Sequence, residues 1–176
     1  MRYYTTMESP VGLLLLTSNG VALTGVYMGE FGPTSGEGWA RDESAVPLPE
    51  AVRQLTDYFE GRRTDFDLPL APEGTAFQQR VWEELRRIPY GATIAYGELA
   101  RRIGNANASR AVGMANGRNP LSIIVPCHRV IGSNGRLTGY GGGLPRKEAL
   151  LRLEAAVTAG TAIGNAAAGP LFATAP

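Results

Sequence analysis

The pattern of apolar and polar positions divides the chain into stretches of different period. Residues 2–6, 12–17 and 21–28 are β-rich runs. Ser18-Asn19-Gly20 separates the second from the third, and Asn-Gly favours the two left-handed residues of a tight hairpin turn. Residues 29–44 fill with Gly, Ser and acids, which predicts a solvated loop. From 47 to 63 the period becomes helical, with Val52, Leu55, Tyr58 and Phe59 on one face and Gly61 as a stop. Residues 66–70 offer an edge strand ahead of Pro72. No reactive groups converge in 1–74, so this small α/β unit reads as a scaffold.

Residues 75–154 are mainly helical in pattern. Thr75 can cap a helix to about Ile88 with Phe77, Val81, Trp82 and Leu85 on one face, and Pro89-Tyr90-Gly91 ends it. A short helix over 96–103, with Leu99, Ala100 and Ile103 apolar, closes at Gly104. After a turn at 105–108 a second helix covers 109–116. Two short helices joined by a turn containing Gly suggest a helix-turn-helix. Asn119-Pro120 breaks the chain, 121–125 is a short β-like run, and 139–143 is an irregular Gly-rich loop. A helix resumes over 146–153 with Leu150, Leu151 and Leu153. The last stretch, 155–176, holds almost no large apolar side chain before Leu171-Phe172 and is expected to be mobile.

Charge changes this picture. The whole chain is near neutral, at +1 over 176 residues, but 1–74 carries 5 Arg against 11 acids and 75–154 carries 12 Lys+Arg against 5 acids. The basic half is where an anionic partner is expected. No apolar run approaches the roughly 20 residues of a membrane helix. The N-terminus shows no basic segment leading into an apolar one, so the expected setting is cytoplasmic. With one Cys and one His, neither an internal disulfide nor a metal cluster can form, and no cofactor is called for.

The only Cys and the only His are neighbours, Cys127 and His128. A lone Cys is commonly a small buried hydrophobe. Here it follows an apolar run and Pro126, at a junction where loops expose residues. A thiol with an ordinary pKa of about 8.5 needs a base or positive neighbours to act as a nucleophile. His128 is a candidate base, Arg129 adds positive field, and Glu154 could orient the imidazole. Adjacent side chains diverge on a strand, so the pair must lie on a turn to cooperate. Asn119 reads otherwise as a turn residue, Tyr96 as packing, and Arg110 as a solvated position. Around Arg110, Ala108, Ala111, Gly113 and Ala115 make a small-residue helix that admits close backbone approach.

These residues form a recognisable set. Arg110-Ala-Val-Gly-Met-Ala-Asn-Gly-Arg-Asn119-Pro, followed by Ile-Ile-Val-Pro126-Cys127-His128-Arg129-Val130-Ile, resembles the O6-alkylguanine-DNA alkyltransferases. Phe77-Gln-Gln-Arg-Val-Trp82, Ile88-Pro-Tyr-Gly91, Tyr96-Gly-Glu-Leu-Ala100 and Leu137-Thr-Gly-Tyr140-Gly-Gly-Gly143 agree, so the match runs from about 75 to 154. Residues 1–74 match the family's first domain in outline only. The resemblance implies an α/β protein: a small N-terminal domain with an RNase H-like sheet and helix, then a mainly helical domain with the helix-turn-helix and the cysteine loop.

It also implies roles. Duplex DNA containing O6-alkylguanine would bind through its minor groove to Ser109, Arg110, Ala111 and Gly113, and the damaged base would be flipped into a pocket. Arg110 would fill the space that the base leaves. Tyr96 would help rotate the nucleotide and bond the guanine N3. Asn119 would hold the turn bearing Cys127, while Glu154, His128 and a bridging water draw off its proton. Backbone groups near Val130 and Tyr140 would read the base, with Pro126 and Tyr140 as walls. Position 141 is Gly where some relatives carry Ser, so only the Gly141 N–H remains to contact the base O6. The zinc site of some relatives has no ligands here. The alkyl group would pass once, irreversibly, to Cys127 of a monomer, with cooperativity along DNA left open. Rival readings are an alkyltransferase-like lesion sensor, in which the cysteine is typically replaced, and a Cys-His-Glu acyl hydrolase.

Overall fold

The computed structural model describes residues 1–29, 34 and 37–160. The N-terminal half is a four-stranded sheet with one helix. Its strands are β1 (Arg2–Met7), β2 (Leu14–Ser18), β3 (Leu23–Met28) and β4 (Trp39–Arg41), in the order β3-β2-β1-β4. β1–β2 and β2–β3 are antiparallel, whereas β4 runs parallel to β1. β2 is buried along its whole length, as expected of an apolar strand with a neighbour on each side. Helix α1 (Leu48–Phe59) buries Leu48, Ala51, Leu55, Tyr58 and Phe59, and Gly61 follows it at φ +70°. That left-handed residue, inexpensive only for Gly, ends the helix where the pattern placed its stop.

Three expectations for this half need correcting. The hairpin turn is not an Asn-Gly left-handed pair: only Gly20 has positive φ, while the Asn19 Oδ1 accepts from the N–H groups of Val21 and Ala22. Residues 66–70 make no strand but a single parallel bridge, Leu70 to Leu23. The expected loop 29–44 contains β4, and its residues 30–33, 35 and 36 lie outside the described residues.

In the C-terminal half, α2 (Ala76–Leu85) starts with a full capping box. The Thr75 hydroxyl accepts from Gln78 N–H at 3.2 Å, and the Gln78 side chain accepts from Thr75 N–H at 2.9 Å. Helices α3 (Tyr96–Arg102) and α4 (Ser109–Gly117) form the expected helix-turn-helix, with α2 packed on both. The indole N–H of buried Trp82 fixes α2 to α4 by donating to the Ala115 carbonyl at 2.8 Å. A two-stranded parallel pair, β5 (Ile94–Ala95) and β6 (Val130–Ile131), joins the segment before α3 to the chain after Cys127. Helix α5 (Leu144–Thr158) runs past the expected boundary at 154, so residues 155–158 are helical rather than part of a mobile tail. Residues 161–176 lie outside the described residues. One buried apolar cluster extends from Val11 through Tyr58 and Trp82 to Leu153, uniting both halves.

The run 121–125 is not a strand either. Leu121 makes one bridge to Val26, and the chain then coils, with buried Ile123 at φ +74°. A β-branched residue at positive φ is strained by about 1–3 kcal/mol, held by the packing around it.

Candidate active site

Cys127 to Arg129 form a single turn of 3-10 helix between the coiled 121–126 segment and β6. Such a turn sends consecutive side chains in different directions. Cys127 faces a cleft of about 380 Å³ lined also by Tyr27, Met28, Asn116, Gly117, Arg118, Asn119, Tyr140, Gly141 and Gly142. That volume falls in the range of small-molecule sites. His128, fully buried, faces the opposite way into the protein.

Behind His128 lies Glu154, also fully buried, on α5. The imidazole Nε2 is 2.8 Å from Glu154 Oε1. Arg129 donates to the same carboxylate, from Nε to Oε2 at 2.9 Å and from a terminal nitrogen to Oε1 at 2.8 Å. The Tyr58 hydroxyl donates to Oε1 at 2.9 Å, and the Gly91 N–H to Oε2 at 3.2 Å. Burial by itself would raise the Glu154 carboxyl, but the hydrogen bonds and charges of its neighbours prevail and hold it at about 2. Burial pushes His128 down, against the pull of Glu154, and Arg129 and Lys147 push it the same way. The lowered imidazole is neutral beside an ionised carboxylate, which is kept ionised first by its hydrogen-bonded pairing with His128 and then by the hydrogen bonds and permanent charge of the Arg129 guanidinium. An ionised carboxylate only accepts, so Nε2 carries the proton and Nδ1 offers a lone pair. Nδ1 is buried without a protein partner.

The thiol itself is not pre-ionised. Burial raises its pKa above the ordinary value, while the Asn119 amide and the Lys147 ammonium pull it down. Lys147 is the cation near the sulfur. Its side chain is fully buried, donating to the Val130 carbonyl at 2.5 Å and the Thr138 carbonyl at 2.9 Å, with Nζ about 6 Å from the Tyr96 and Tyr140 ring centres. The expected field from Arg129 on Cys127 is thus misplaced. Arg129 turns away to Glu154 and the Ile88 carbonyl, because the 3-10 turn points it into the core.

The other expected residues separate. Asn119 donates to the Val125 carbonyl at 2.8 Å and accepts from Leu121 N–H at 3.0 Å, bracing the segment that ends at Cys127. Tyr140 and Gly141 line the cleft, and the Tyr140 hydroxyl is buried without a partner. A Cβ added at Gly141 would meet only the Gly117 carbonyl, at 3.5 Å, so the Gly reflects no crowding. Val130 and Pro126 are not among the cleft's lining. The Val130 carbonyl is held by Lys147, and Pro126 lines a separate depression with Ile123, Ile124 and Arg129. Tyr96 spends its hydroxyl on the Thr138 carbonyl at 3.1 Å. On α4, Arg110 and Ala111 are exposed and Ser109 half-buried, but Gly113 faces inward, where a Cβ would meet the Tyr96 ring at 3.8 Å. Met114, 57% exposed, shares the outer face instead.

Missed from the sequence were Lys147, Tyr58, and the contribution of Tyr27 and Met28 to the cleft. A signal existed for the first: Lys147 and Glu154 lie seven residues apart on α5, on the same face as the apolar Leu150.

Two family models together span most of the described chain. Residues 2–72 match the ribonuclease-like domain of 6-O-methylguanine DNA methyltransferase, and residues 76–156 match its DNA binding domain. This chain belongs to the 6-O-methylguanine DNA methyltransferase family. A methylated-DNA–protein-cysteine methyltransferase of Methanosarcina acetivorans is 52% identical over 154 residues, covering 86% of this chain and 97% of the relative. One from Mycobacterium bovis is 54% identical over 156 residues, covering 88% and 93%. In structure the chain is similar to Mycobacterium tuberculosis OGT crystallised in complex with DNA, with TM-score 0.82, 54% identity and coverage of 88% and 94%. The methyltransferase family's fold thus frames the cleft of Cys127. Among the described residues no group of three or more His, Cys, Asp or Glu could hold a metal ion, and no helix is long and apolar enough to cross a membrane.

Proposed function

We propose that this chain carries out direct-reversal DNA repair, taking the alkyl group of O6-alkylguanine onto its own Cys127. The observation that carries the proposal is the back-to-back arrangement of the 3-10 turn: the thiol opens onto a base-sized cleft while His128 is anchored to Glu154 with its Nδ1 lone pair free. In the reaction the sulfur attacks the alkyl carbon, the S–C bond forms, and the O6–C bond breaks in line. The thiol proton passes through a bridging water to His128 Nδ1, and the departing guanine gains a proton in turn. The product is a thioether, which has no hydrolytic exit, so each molecule acts once.

The remaining roles belong to the same proposal. The base must leave the stack to reach a buried thiol, and it enters between Tyr140 and the α4 terminus. Tyr96 exchanges its bond to the Thr138 carbonyl for the guanine N3. Arg110, Ala111 and Met114 on the outer face of α4 meet the minor groove, with Arg110 filling the vacated stack. Arg110, Arg118 and Arg136 are exposed and, like Arg80 and Arg86, pair with no carboxylate among the described residues, so they are cations available to phosphate. A monomer bound to duplex DNA completes the assembly.

Incubation with duplex DNA containing O6-methylguanine, followed by intact mass, tests the proposal. A gain of one methyl at Cys127, saturating at one equivalent, is expected. Cys127→Ser keeps DNA binding and loses transfer. Repeated turnover on an ester or amide without alkylation would favour hydrolase chemistry instead.

A further inference from the structure

We infer that Tyr58, on the N-terminal helix α1, is a positioning residue for alkyl transfer: its hydroxyl holds Glu154 Oε1 in line with His128. The inference rests on the repair reading above and assigns the N-terminal half a part in the chemistry.

The geometry is specific. Tyr58 is fully buried, and its ring is packed by Phe59, Phe66 and Tyr90 at centroid distances of 5.4, 5.6 and 6.0 Å. That packing leaves its hydroxyl one direction to point, at Glu154 Oε1, 2.9 Å away. Oε1 is also the oxygen that receives His128 Nε2. The same aromatic cluster governs the other oxygen, because Tyr90 directly precedes Gly91, whose N–H reaches Oε2. Arg129 grips the carboxylate from the third side. A carboxylate gripped only by Arg129 could still swing about that fork, and Tyr58 and Gly91 remove the freedom. Burial, followed by the charge of Glu154, raises the Tyr58 hydroxyl well above its ordinary value, so it remains a donor throughout the working pH range.

The hydroxyl also has an electrostatic consequence. By donating to Oε1 it takes up part of the negative charge that would otherwise stabilise an imidazolium. The charged and titratable groups facing the His128–Glu154 pair are Arg129 from the 3-10 turn, Lys147 from α5, Tyr58 from α1, Tyr90 from the turn before β5, Tyr140 from the loop before α5, and Cys127 itself. Of these, Tyr58 can lose its polar contact with the smallest change of shape.

The test is Tyr58→Phe, which deletes one oxygen and keeps the ring. Single-turnover methyl transfer from O6-methylguanine duplex should slow about tenfold, which is about 1.4 kcal/mol of barrier. The DNA dissociation constant should be unchanged, and the acid limb of the rate–pH profile should move to higher pH as the imidazolium gains stability. Val52→Ala loosens the packing of α1 without touching the rings around Tyr58 or its hydroxyl, so it should lower the melting temperature and leave rate and profile as in the wild type. An unchanged rate and profile in Tyr58→Phe overturns the inference. So does an equal slowing in Val52→Ala, which would assign the effect to a general loosening of α1. A wild-type protein that transfers no methyl group fails the repair reading itself, and this inference with it.

Discussion

Glu154 makes the stability of the protein acid-sensitive in a way that can be worked out from its surroundings. Its carboxyl sits at about 2 instead of the ordinary 4.5. A folded-state pKa below the unfolded one means that the unfolded chain takes up the proton first. The resulting stabilisation is complete above about pH 5 and is lost as pH falls toward 2, and it amounts to about 3 kcal/mol at neutral pH. About 2 kcal/mol of it should be gone by pH 3. This is a large share of a typical domain stability of about 5–15 kcal/mol.

Urea unfolding from pH 7 to pH 3 reads the effect on the wild type and on Glu154→Gln, both carrying His128→Gln so that the buried imidazole, which titrates in the same range and is coupled to Glu154, drops out. Glu50, Glu98 and Asp42 are also lowered, chiefly by hydrogen bonds to Arg53, Arg101 and Ser44 respectively, but they titrate in both proteins and cancel in the difference. Glu154→Gln leaves the Arg129 guanidinium without its anion and should cost about 3–5 kcal/mol at pH 7. Its deficit against the wild type should then narrow by about 2 kcal/mol at pH 3. Should that variant be too unstable to measure, Glu154→Gln with Arg129→Gln removes both members of the buried pair and takes its place. Parallel pH profiles for wild type and variant would refute the argument, because they would mean that Glu154 carries no lowered pKa in the folded state.

Arg118→Ala removes one cation facing the cleft mouth, and the slope of log K against log salt for duplex binding should fall by about 1; an unchanged slope would take Arg118 out of the phosphate contacts. Arg110→Ala should impair extrusion of a fluorescent base analogue far more than binding of undamaged duplex, and equal losses in the two would contradict its place in the vacated stack. Trp82→Phe takes one of two donors from the Ala115 carbonyl, which keeps the Arg118 N–H at 3.2 Å, and should cost about 0.5–1.5 kcal/mol in urea unfolding; no measurable loss would show that the indole bond does not hold α2 to α4.

What could be read in advance was what local pattern encodes. Thr75 announces a helix cap, Leu99 with Ala100 a buried helix face, and Gly61 and Gly104 the ends of helices; each is where the spacing put it. The family motif likewise pointed to Cys127, His128, Asn119 and Glu154, which lie around one turn of chain and its support. What escaped depends on partners distant in sequence. Leu-Ser-Ile-Ile-Val reads as a strand, yet after the single bridge from Leu121 the chain coils, and only the packing around Ile123 imposes its positive φ. β4 has three residues and owes its existence to β1, nearly forty positions earlier in the chain. Arg129 reads as a positive field on Cys127 because nothing beside it shows that it turns inward to Glu154.

Tyr58 is the sharpest case, since the position that a helical pattern most safely assigns to packing is where a polar tip can be hidden. Its ring satisfies the apolar face of α1 and its hydroxyl meets a carboxylate 96 positions later, so one residue serves two patterns and displays only the first. The acidic half, which carries no reactive cluster of its own, therefore reaches the chemistry through the one atom of an aromatic side chain that hydrophobic periodicity cannot register.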